Sequence, residues 1–110
     1  MVVEQWRRWL LQQFPGLLLL SGRSIYVGVA KLSLAIQEAR ALRLVIVGME
    51  GFRTDGSVIE PLPDYIADLG EIDGSWDDRV ESSCSAAESI AAAWTAGPQF
   101  VDIEVVGADE

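Results

Sequence analysis

Trp76, Val80, Cys84, Ala87, Ala91 and Trp94 recur by fours and threes, the spacing of one face of an α-helix. A helix of that length with one apolar stripe needs a sheet or other helices to cover it, which rules out an all-β chain. Ser75 and Asp78 have the spacing of a helix cap, and Gly97-Pro98 stops the helix. Ser82, Ser83 and Ser85 lower the propensity at its middle, so one long helix competes with two helices split near Cys84, the second capped by Ser85 and Glu88.

The segments around it read as α and β in alternation. Val2, Trp6, Trp9, Leu10, Gln13 and Phe14 share one side of an opening helix that Pro15-Gly16 ends. Leu17–Leu20 is a short apolar strand with Ser24–Val29 as its candidate partner, though the apolar run around Gly28 can instead enter the following helix, Ala30–Ala41. Arg43–Val47 is a β-branched strand expected to end at Gly48. It would deliver Glu50-Gly51-Phe52-Arg53-Thr54-Asp55-Gly56 to an exposed loop with a turn at Asp55-Gly56, and Val58-Ile59 as a short return. Pro61 and Pro63 argue against pairing beyond Ile59, and Pro63 instead opens a short helix through Leu69. Phe100–Val106 alternates acids with Val101, Ile103 and Val105, the pattern of a half-exposed edge strand.

The expected fold is α/β or α+β: a small single-domain sandwich with a short mixed sheet covered by amphipathic helices. The domain spans 1–106, and 107–110 form a C-terminal tail. At 110 residues and half apolar, the chain can build a core without staples. It has one cysteine and no histidine, which precludes an intrachain disulfide and the usual zinc site and favours a cytoplasmic location. The opening segment lacks secretory-signal character, and no apolar stretch reaches bilayer length.

Charge separates along the chain. Residues 1–49 carry six basic side chains against Glu4 and Glu38, a formal +4, while residues 50–110 carry fifteen acids against Arg53 and Arg79, a formal −13. Such acidity repels nucleic acid and anionic membrane and attracts a basic protein. It also outweighs the membrane-surface reading of Trp6-Arg7-Arg8-Trp9.

Chemical motifs are weak. Asp73, Ser75 and Asp77 alternate as calcium ligands do, but the glycine is misplaced for an EF-hand loop, so no metal site is expected. Cys84 lies on the apolar stripe and has no histidine to activate it. No cofactor motif occurs: Gly48-Met49-Glu50-Gly51 lacks both a nucleophile and a phosphate-binding lysine. No catalytic residue is assigned.

The expectation is therefore a non-catalytic acidic protein-binding domain. Its concrete form is an inhibitor or immunity protein for a basic toxin such as a nuclease. The expected contact residues are Asp64, Asp68, Glu71, Asp73, Trp76, Asp77, Asp78 and Glu81, joined by Glu50, Phe52 and Asp55. One alternative is a structural or homo-oligomerising subunit whose first helix and terminal strand complete an interface. The other is a small enzyme using Glu50 and Asp55 across their turn.

Overall fold

In the computed structural model, residues 2–13, 18–21, 24–56, 58–70 and 73–108 are described. In chain order they form α1 (Val2–Gln13), β1 (Leu18–Ser21), β2 (Ser24–Gly28), a 3-10 turn (Val29–Lys31), α2 (Leu32–Ala41), β3 (Val45–Thr54), β4 (Ile59–Asp68), α3 (Trp76–Ala93) and β5 (Phe100–Val106). The strands make one sheet in the order β1-β2-β5-β3-β4. Every pairing in it is antiparallel, where the sequence suggested a mixed sheet. The architecture is a small single-domain α+β fold. Pro15-Gly16, Glu71 and the last two residues of the expected tail, Asp109 and Glu110, lie outside the described residues.

The helices form as their stripes dictate. Leu32, Ala35, Ile36 and Ala39 of α2 are buried, as are Val80, Cys84, Ala87 and Ala91 of α3. They meet Ile25, Val27, Met49, Val101 and Ile103 of the sheet in one core. α1 enters it through Trp6 and Leu10, and the Trp6 indole N–H donates to the Ala35 carbonyl at 3.1 Å. α3 is one helix from Trp76 to Ala93, and the Ser75 hydroxyl accepts from the Asp78 amide at 3.1 Å. The serines do not split it, because Ser83 has a buried task. Its Oγ accepts from the Ile46 amide at 3.0 Å and donates to the Val80 carbonyl. That amide precedes the register shift of β3 against β5 between Ile46 and Gly48. Ser83→Ala should cost about 1–3 kcal/mol in urea unfolding, because a buried N–H loses its acceptor.

Three expectations for the strands β3, β4 and β5 need correction. β3 does not stop at Gly48 but runs to Thr54, so Glu50 and Phe52 are strand residues rather than loop residues. Gly48, the expected strand end, lies inside β3 between Glu104 and Asp68, and Gly51 allows close packing. A Cβ on Gly51 would lie 2.8 Å from Tyr65 Cβ and 2.9 Å from Pro98 Cβ. Gly51→Ala should therefore lower stability by about 1–3 kcal/mol, read as a shifted urea midpoint at constant slope.

The segment 63–69 is not a helix. β4 continues as a strand to Asp68 despite Pro61 and Pro63, because it is an edge strand. Its pairing jumps from Phe52↔Pro61 to Glu50↔Ile66, leaving the residues between as a bulge. Tyr65 turns inward from this bulge and packs edge-on against Trp94, ring centroids 5.6 Å apart. Finally, β5 is no edge: it lies between β2 and β3, at the centre of the sheet. A terminal strand so placed cannot complete an interface by edge pairing.

Candidate functional site

α2 and α3 cover one face of the sheet, and residues at alternate positions line the other. Register partners across β2, β5, β3 and β4 define that open face. Tyr26 stands opposite Asp102, Asp102 opposite Glu50, and Glu50 opposite Ile66. In adjoining rows Glu104 pairs with Gly48 and Gly48 with Asp68, while Phe100 pairs with Phe52. Glu50, Asp102 and Glu104 are thus neighbours on central strands, where directly opposed side chains approach within about 5 Å at Cβ.

Tyr26 and Phe52 join edge to face at 4.8 Å between centroids, giving the face a rigid aromatic floor. Ile66 remains 60 % exposed beside it. Between Glu50, Ile66, Asp68, Asp102 and Glu104 lies an open recess of about 320 Å³.

The recess is electrostatically unfavourable to itself. Burial pushes the Asp102 carboxyl above its ordinary 3.8, Glu104 and Glu50 push it further the same way, and Arg7 of α1 pulls it partly back. The folded chain therefore holds the Asp102 proton more tightly than the unfolded chain does. Below the ordinary value both states are protonated and nothing is lost. As pH rises through the raised value the folded state alone bears the cost, which is complete above it. Asp102→Asn should accordingly raise the urea midpoint near pH 7 and leave it unchanged near pH 3, where the wild-type carboxyl is already neutral.

The expected contact residues fall into separate groups. Glu50, Phe52 and Asp68 belong to the open face. Asp55 sits at the β3–β4 hairpin tip, where its carboxylate accepts from the Val58 amide at 3.2 Å and Gly56 takes a positive φ of 100°. It does not face Glu50 across a turn; five residues of extended chain separate them, roughly 16 Å. Asp64 is exposed on the β4 bulge.

Asp73, Trp76, Asp77, Asp78 and Glu81 gather at the start of α3, which packs on the other side of the sheet. Two of those carboxylates are engaged internally: Asp77 pairs with Arg43, and Glu81 lies 3.3 Å from Arg40 Nε. Trp76 is held as well. Its indole N–H donates to the Arg43 carbonyl at 3.0 Å, and the Arg79 guanidinium lies 5.2 Å from its ring centre. Glu71 lies outside the described residues.

The sequence does not single out Asp102, Glu104 and Tyr26, which the sheet register brings to the candidate site. The acid alternation of 100–106 was visible, but its meeting with Glu50 depends on β5 pairing with β3 across the chain. Cys84 is wholly buried with its Sγ 3.8 Å from the Leu44 carbonyl, and burial pushes the thiol up, disfavouring the reactive thiolate. Among the described residues no three acid or thiol groups converge as metal ligands do, and no helix is long and apolar enough to cross a membrane. No known protein family, curated protein or solved structure matches the chain.

Proposed function

We propose that this chain is a non-catalytic acidic domain that binds a basic protein through the open face of its sheet. In its most concrete form it is an inhibitor or immunity protein that covers a cationic toxin surface, such as a nuclease surface shaped for phosphate. The observation that carries the reading is the placement of Glu50, Asp102 and Glu104 on adjoining central strands around an aromatic floor. Carboxylates that repel one another in the free protein are relieved when a guanidinium or ammonium group arrives among them. Phe52, braced edge-on by the buried Tyr26, and the exposed Ile66 supply apolar contact, with Asp68 as a polar rim.

This reading moves the weight of recognition from the start of α3 to the sheet. At α3, internal ion pairs and the stacked Trp76 leave less to offer a partner.

Affinity capture from native lysate at low salt tests the proposal. The chain should retain a basic protein, release it at about 0.5 M salt, and fail to retain it once Glu50, Asp102 and Glu104 are neutralised. Recovery of no basic protein, or equal recovery by the neutralised variant, would contradict the reading.

A further inference from the structure

The two edges of the sheet are treated differently. β4 carries the features that keep an exposed edge from pairing with another chain: Pro61, Pro63, a bulge, and Glu60, Asp64 and Asp68 along its length. β1, at the opposite end of the sheet, has the sequence Leu18-Leu19-Leu20-Ser21, without a charge or a proline. β2 is its only strand partner among the described residues, so its outer row of backbone N–H and C=O groups has no strand to meet.

We propose that β1 is a self-association edge, at which two copies of this chain pair β1 to β1 antiparallel and continue one sheet across a two-fold axis. Antiparallel pairing of identical strands is self-complementary, as a two-fold interface requires. Charge placement selects a second copy over the basic partner of the open face. Positions 9–22 contain no charged residue, so the strand has nothing to attract a basic surface and nothing to repel its own copy.

The sheet order also puts β4, from the −13 half, at the far edge. Pairing through β1 thus keeps the acidic ends of two copies apart, whereas pairing through β4 would bring like carboxylates together. The open face stays free in such a dimer, so the two surfaces can be tested separately.

Sedimentation of the whole chain from about 5 to about 500 µM gives the first reading. Wild type should pass from monomer to dimer with a midpoint that scarcely changes between about 0.15 M and about 0.5 M salt, because the contact is uncharged. Leu19→Pro and Ser21→Pro, which disrupt the β1 edge without adding a charge to the open face, should each weaken association about tenfold or more.

Hydrogen exchange of the wild type provides a readout independent of those variants' folding: amides of residues 18–21 should slow as concentration rises. A wild type that stays monomeric throughout would overturn the proposal. So would a dimer undiminished in folded variants, or concentration-dependent protection that omits β1. Loss of the dimer leaves capture of a basic protein intact, and loss of capture leaves the dimer intact.

Discussion

Trp6→Ala should lower the unfolding free energy by about 3–5 kcal/mol, a large part of what a domain of this size has to spare. The indole is 3 % exposed and belongs to the same buried cluster as Leu10, Ala35, Ile36 and Ile103, so its removal leaves a cavity where α1 meets α2. Its N–H also donates to the Ala35 carbonyl and so ties α1 to α2. Trp6→Phe fills most of the volume without the donor and should lose less, about 1–2 kcal/mol. Urea unfolding followed by far-UV circular dichroism measures both. Equal and negligible losses would mean that α1 does not belong to the core.

The second large effect concerns binding. Replacing Glu50, Asp102 and Glu104 by Gln, Asn and Gln should weaken capture of the basic partner by about 100-fold or more. On the proposed reading each removed carboxylate would face a partly dehydrated contact, where one charged hydrogen bond is worth about 1.5–3 kcal/mol. The same substitution of three charges at Asp73, Asp77 and Asp78 removes equal net charge from the start of α3. It should slow association through weaker steering and leave dissociation nearly unchanged, a loss of about tenfold or less.

Breaking the exposed Asp77–Arg43 pair adds only about 0–1 kcal/mol of instability, so folding does not confuse the comparison. A cation placed against Asp102 also favours its ionised form. Binding should therefore tighten as pH rises through the raised Asp102 value and release a proton, which calorimetry in buffers of different ionisation heat detects.

What the sequence revealed follows from range. The stripe of α3, its Ser75 cap and the Asp55-Gly56 turn are set by residues a few positions apart, and each forms as read. The errors share another origin. Pro61 and Pro63 are tolerated because β4 has only one neighbour, a property of the sheet rather than of the segment. Gly48 looks like a strand end, but β3 runs through it to Thr54, and at Gly51 Tyr65 and Pro98 press on the backbone from other parts of the chain.

β5 carries acids at alternate positions and so reads as an edge strand. Alternation reports one open face and says nothing of how many neighbours a strand has. The proposed contact surface is harder still to read from sequence. Acids crowded in sequence between Asp64 and Glu81 divide between two sides of the sheet, whereas Glu50 and Asp102, far apart in sequence, become register partners.

Carboxylate labelling with carbodiimide and an amine, read by mass spectrometry with and without the captured basic protein, tests the open-face account most directly. Protection should fall on Glu50, Asp102 and Glu104, while Asp73 and Asp78 go on reacting. Undiminished labelling of the three sheet carboxylates in the complex, with protection at the start of α3 instead, would contradict it.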